Sequence, residues 1–132
     1  LVRGVKVAFT KVAVLAPDSA VAGSRVSVDI TIENISDSRL HVAAIGVIDS
    51  EERFIDWLED WLIPLEVRYF SGSFIMPDRD IIVHAYSYYE SGGFWYSDDE
   101  AAKNINLAKA YTGSITRKEL DYDAVRVPFP LE

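Results

Sequence analysis

"RVSVDITIE", residues 25–33, decides the fold class. Val26, Val28, Ile30 and Ile32 fall on one face, and Arg25, Ser27, Asp29, Thr31 and Glu33 on the other. Successive side chains of an extended chain point to opposite sides, so period-two alternation marks a strand with one face buried and one in water. "NISDS" (34–38) follows with turn-forming residues,. "LHVAAIGVI" (40–48) then carries apolar residues on both parities, as expected of a strand covered on both faces, and Gly46 marks a bulge there.

Toward the N-terminus, Val5, Val7 and Phe9 occupy odd positions and Val12 and Val14 even ones. The parity flip predicts a bulge or a crossing from one sheet to another. Pro17-Asp18-Ser19 and Gly23-Ser24 bracket a turn,. Toward the C-terminus, "DSEERFIDWLEDWLIP" (49–64) fits two descriptions. Phe54, Trp57, Leu58, Trp61 and Leu62 have helical spacing, with Asp49 and Glu52 as a capping box and Pro64 as a stop. With period two, Ile55, Trp57, Trp61 and Ile63 share a face around a turn at Leu58-Glu59-Asp60. The surrounding β pattern favours strands, with the tryptophans as anchors of sheet packing; one short helix near 51–62 is the alternative.

"VRYFSGSFIMP" (67–77) alternates again and ends at Pro77. "DIIVHAYSYY" (80–89) and "GFWYSDD" (93–99) form a hairpin around Glu90-Ser91-Gly92-Gly93, which sets Tyr88 opposite Trp95. "AAKNINLAKAY" (101–111) continues the last strand. About seven to eight short strands separated by turns read as an all-β antiparallel sandwich. Its core is expected to join Val26, Val28, Ile30 and Ile32 to Phe74 and to at least one of Trp57 and Trp61. The sandwich is assigned to residues 1–111. The more polar 112–132, where Pro128 and Pro130 remove two backbone donors, suits a linker or an edge strand.

Composition narrows the function classes. The chain has 132 residues, 49% hydrophobic and 26% charged, which suits one globular domain,. Thirteen basic residues against 21 acidic ones leave a net charge of −8, which disfavours a nucleic-acid partner. The absence of cysteine excludes disulfides and thiolate metal sites,. No apolar run reaches the ~20 residues of a membrane-inserted helix, and no signal peptide opens the chain. A start at Leu1 rather than methionine is expected of a processed product or an excerpt.

Pro17, Gly23, the alternating Val26 to Ile32 and Asn34 together resemble the opening of immunoglobulin-like sandwiches of the fibronectin type III and CARDB sort. "WLIPLEVRYFSGSFIMPDRDIIVHAYSY" (61–88) is similar to their later half, with Leu65 where the family often has glycine after proline. The resemblance implies a module like the tandem units of phage or archaeal-virus structural proteins and of prokaryotic surface proteins. Such a module is a structural spacer or an adhesion unit, extracellular, at the cell surface or in a virion. Its partners would be neighbouring domains of the same polypeptide or a protein assembly, and no cofactor is implied. The resemblance also puts Ile81, Val83, Ala85 and Ser87 inward, and His84, Tyr86, Tyr88 and Trp95 outward. Tyr86, Tyr88 and Trp95 are then candidate ligand-binding residues, a stacking platform for carbohydrate or a protein partner with Asp98 to Glu100 at its margin. Two alternatives stand beside this: cross-strand packing alone, or the opposite parity, which would bury the same tyrosines.

No residue is assigned a catalytic role. His41 and His84 are the only histidines, both fall within strands, and no nucleophile elbow, phosphate loop or His-Glu-x-x-His motif accompanies them. The chain is therefore read as not an enzyme. Asp78/Asp80, Glu59/Asp60 and Asp98/Asp99/Glu100 lack the spacing of a Ca²⁺ loop and read as solvated acids, so no metal ligand is assigned.

Overall fold

The computed structural model describes residues 8–109. Eight strands follow in order: β1 (Thr10–Leu15), β2 (Ser19–Val21), β3 (Arg25–Asn34), β4 (Leu40–Ile48), β5 (Glu52–Leu62), β6 (Val67–Ile75), β7 (Ile81–Ser91) and β8 (Phe94–Ala108). They form a three-stranded sheet, β1-β3-β6, and a five-stranded sheet, β2-β8-β7-β4-β5. This is the immunoglobulin-like order, in which the second, fifth and first strands of a Greek key face the third, sixth and seventh. All pairings are antiparallel except that of β2 with β8, which is parallel.

The alternation of β3 is realised in full. Val26, Val28, Ile30 and Ile32 are buried against β1 and β6. The core consists of two adjoining clusters. One gathers Ile30, Ile32, Val42, Leu62 and Phe70, and the other Val26, Val28, Phe74, Ile81, Val83 and Ile105. The inward parity of β7 agrees with expectation, since Ile81, Val83, Ala85 and Ser87 are all buried. β4 is buried on both faces from Val42 to Ile48. Its register against β5 shifts at Gly46, where a Cβ would stand 2.7 Å from the Phe54 ring. The bulge thus sits where β5 lays an aromatic ring on the β4 backbone.

Four expectations are corrected. Residues 52–62 form one strand, neither the short helix nor a pair of strands with a turn at Leu58-Glu59-Asp60. Neither Trp57 nor Trp61 enters the core with Phe74; Trp57 is half-buried and Trp61 is 45% exposed. β5 contributes Ile55 and Leu62 instead. The hairpin loop has two residues rather than four. Gly92 and Gly93, with φ of 62° and 85°, supply the left-handed conformations of a tight turn that matches strand twist. Glu90 consequently pairs with Trp95, and Tyr88 with Ser97. β1 pairs with β3 without a register shift, and the chain changes sheet only after Leu15, on its way to β2. As expected, the fold is an all-β antiparallel sandwich, with β2–β8 its one parallel pairing among the described residues. Val5 and Val7, and the linker or edge strand expected at 112–132, lie outside the described residues.

The turn between β5 and β6 forms without the family's glycine. Glu66 N–H donates to Ile63 O at 3.1 Å, and Leu65 takes φ of 69°, the third position of a turn that usually demands glycine or asparagine. An L-residue there costs ~1–2 kcal/mol, and the Leu65 side chain recovers little, being 73% exposed. Leu65→Gly is expected to stabilise the domain by about 0.5–1 kcal/mol after the entropy cost of glycine. A higher denaturant midpoint with an unchanged slope would show it; a lower midpoint would mean that the leucine packs usefully.

Candidate functional site

The odd residues of β4 point away from the sandwich interior, yet Ala43, Ile45 and Val47 are buried. A two-layer fold has no third layer to cover them, so aromatic side chains from β5, β7 and β8 lie over them. Trp57 contacts Tyr88 at 5.3 Å between ring centroids and Trp95 edge-on at 5.0 Å. Trp95 reaches His41 at 4.8 Å, and His41 stacks on Trp61 at 4.5 Å with an interplanar angle of 8°. The Arg39 guanidinium sits 4.5 Å from the Trp61 ring centre, a cation–π contact.

Trp57 and His41 have polar partners in this layer. Trp57 Nε1–H donates to Glu59 at 2.6 Å. His41 Nε2 lies 2.8 Å from Glu59 and its Nδ1 3.5 Å from Glu90. Tyr86, Tyr88 and Trp95 all lie on this outer face, each half-buried. Tyr88 and Trp95 meet through Trp57 rather than as an opposed pair, while Tyr86 stacks with His84 at 6.2 Å, further along β7. The two-residue correction of the hairpin register preserves parity, so the face assignment survived it.

The hairpin has a second aromatic face. Tyr89 stacks on its cross-strand partner Tyr96 at 5.4 Å, and Phe9 meets Tyr89 edge-on at 4.7 Å. Pairing of β7 with β4 stops at Tyr89–Val42, so the hairpin tip overhangs the sandwich at the pole where β1 starts. Phe94 and Tyr96 are exposed there, by 68% and 46%. The sequence reading passed over Tyr89, Tyr96 and Phe94 because it looked only at the face opposite the core.

Asp98 and Asp99 do not serve as a margin of solvated acids. Between the Tyr86–Glu100 and Tyr88–Ser97 pairs, Ser87 opposes both of them, a β-bulge that turns two consecutive side chains toward β1. Asp98 accepts from the N–H groups of Phe9 at 3.2 Å and Thr10 at 2.7 Å and from the Thr10 hydroxyl. Asp99 accepts from Val12 N–H at 2.9 Å. Buried Ser87 joins them, its hydroxyl 2.7 Å from Thr10 Oγ1 and accepting from Asp99 N–H at 3.0 Å. The thrice-bonded carboxylate thus ties the first strand to the last. Only Glu100, opposite Tyr86, remains on the outer face.

Other ion pairs fasten turns. A hydrogen bond from Arg79, followed by the Ile82 N–H, holds the Asp49 carboxyl below its usual range. The Ile63 N–H and then Arg68 do the same for Glu66, and Lys103 for Asp18. Among the described residues no three His, Asp or Glu side chains gather as metal ligands.

No family model matches this sequence, and no curated protein matches it. Among solved structures, a CARDB domain from Pyrococcus furiosus, determined in complex with di-metal ions, superimposes with a TM-score of 0.63. It is 9% identical and covers 82% of this chain and 98% of its own. Two enzymes contain a stretch of weaker likeness. An alkylpurine DNA glycosylase from Pseudomonas fluorescens, bound to abasic-site DNA, gives a TM-score of 0.49 at 13% identity over 76% of this chain and 31% of its own. A β-glucuronidase from Bacteroides uniformis gives 0.49 at 12% identity over 73% and 13%. The chain has the fold of an immunoglobulin-like β-sandwich, similar to that of the CARDB domain.

Proposed function

We propose that the chain is a non-catalytic spacer or adhesion module of a larger surface or virion protein, joined to neighbouring domains of the same polypeptide. The observation that carries this is where the strands start and stop. β1 begins at Thr10, opposite Asn34 at one pole, and β8 ends at Ala108, opposite Val21 at the other. A pull along that axis loads β1 against β3, and the parallel β2–β8 pair, in shear, so that their hydrogen bonds resist together. Among the described residues no three His, Asp or Glu side chains are arranged to hold a metal ion, so no metal is proposed.

Force spectroscopy tests the reading. Stretching between residues 8 and 109 should require several times the force needed between residues 8 and 36, which peels β1 from β3 one pair at a time. Equal forces would remove the support for a load-bearing spacer.

The second reading is a binding module for carbohydrate or protein that works through Tyr86, Tyr88 and Trp95. Their gathering with Trp57 and Trp61 on one sheet face supports it. Trp95→Ala is expected to cost about 2 kcal/mol, because its ring helps cover β4. Glycan-array binding by the parent that the Tyr88→Ala and Trp95→Ala chains lose, while still folded at the assay temperature, is the expected result for a platform. Binding unaffected by both changes would leave the rings a purely structural role.

A further inference from the structure

The pole where β1 starts is also where the β3–β4 loop, the β5–β6 turn and the β7–β8 hairpin tip come together. In immunoglobulin variable domains the corresponding end carries the recognition loops. Here it holds a groove of about 260 Å³ between the hairpin overhang and the β3–β4 loop. One wall is aromatic, made by Phe9 and Tyr89. The other is polar, with Ser38 and Arg39 facing Glu90 and Ser91.

From this groove we infer a binding site for the pyranose ring of a neutral glycan, with Phe9 and Tyr89 as the aromatic wall and Arg39 and Glu90 as the hydrogen-bonding pair. The inference rests on the adhesion reading and places its aromatic wall on the face of the hairpin opposite Tyr86, Tyr88 and Trp95. A sugar ring presents one apolar C–H face and a rim of hydroxyls that both donate and accept. It therefore needs an aromatic surface beside a donor and an acceptor, and the groove supplies these within its small volume. Arg39 forms no ion pair among the described residues, so its N–H fork is open to a ligand while Trp61 holds the guanidinium from behind. Glu90 accepts from Gly93 N–H at 2.8 Å and lies 3.5 Å from His41 Nδ1, which fixes its carboxylate while each oxygen keeps a further lone pair for a sugar hydroxyl. The net charge of −8 and the presence of Glu90 beside Arg39 disfavour uronic or sialylated sugars.

Isotope-labelled chain titrated with neutral oligosaccharides, and separately with uronate-bearing ones, tests this by NMR. The neutral set is expected to shift the signals of Phe9, Tyr89, Ser91 and Arg39 at millimolar concentration or below, and the acidic set to do so more weakly. Phe9→Ala and Arg39→Ala should each weaken binding about tenfold, a loss of one contact of ordinary strength, with little change in melting temperature. Tyr88→Ala should bind like the parent. No shifts at this pole with any neutral glycan would overturn the groove and leave the spacer reading intact. Shifts centred on Tyr86, Tyr88 and Trp95 would overturn it in favour of the outer face, and stronger binding of the acidic set would overturn the assignment of ligand class.

Discussion

An Ile30→Asp chain is expected to show no cooperative melt at room temperature. Ile30 is fully buried in the middle of β3, opposite Val14 on one side and Phe70 on the other. The change forfeits ~2–3 kcal/mol of apolar burial and sets a carboxylate among Val12, Val42 and Leu62, where nothing donates to it. An unpartnered buried charge costs several kcal/mol more, or is neutralised at similar expense. The whole of a domain's stability is about 5–15 kcal/mol, so the folded state loses. Ser27→Asp, on the solvent face of the same strand, should stay within about 0.5 kcal/mol of the parent. Circular dichroism against temperature and the dispersion of amide NMR signals separate the outcomes. A cooperative transition within a few degrees of the parent would mean that the inward face of β3 has been misassigned.

β3 was legible because its environment is simple: one face meets the opposing sheet and the other meets water, so hydrophobicity follows parity. β4 was legible as well, since Val42 to Ile48 are apolar at every position and buried at every position. What covers its outer face was not. A tryptophan in an apolar stretch reads as core, but Trp57 and Trp61 do their burying outside the sandwich, over a strand that would otherwise be bare. That job obeys neither helical nor strand periodicity relative to the core, which is why residues 52–62 fitted both descriptions. The hairpin register was missed by two residues because loop length is set by whether both glycines adopt positive φ, and "ESGG" permits either turn. The groove was illegible for another reason: Phe9, Arg39 and Tyr89 are far apart in sequence and meet only when two sheets and a hairpin are in place. Leu65 illustrates the reverse, a position where composition argued against a tight turn that tertiary structure imposes through Asn34, whose C=O accepts from Leu65 N–H at 2.7 Å.

Asp98→Ala is expected to lower stability by about 2–4 kcal/mol. Three donors lose a charged acceptor at once: the N–H groups of Phe9 and Thr10 and the Thr10 hydroxyl. Thr10 is almost fully buried, as is Ser87 beside it, so water does not readily replace the carboxylate. The Thr10 hydroxyl has one proton, which goes to Asp98, so the Ser87 hydroxyl donates in turn to Thr10 Oγ1. Removing the carboxylate frees that proton order and weakens the rest of the chain of bonds. For a domain of this size ~1 kcal/mol corresponds to ~4–8 °C, and the melt should fall by about 10 °C or more. Asp98→Asn should lie between the two, because an amide keeps one acceptor oxygen but turns an N–H₂ toward other donors. Asp99→Ala, which removes only the Val12 contact, should cost about half as much. A double-mutant cycle of Thr10→Val with Asp98→Ala should show coupling of about 1 kcal/mol; additive effects would mean the two groups act separately. Because this carboxylate joins the first strand to the last, its loss should also lower the force needed to stretch the domain end to end. The peeling force between residues 8 and 36 should fall as well, since Phe9 and Thr10 are the first residues to leave. An Asp98→Ala chain with the parent's melt and the parent's end-to-end force would reduce the clamp to a surface contact and leave β1 held by β3 alone.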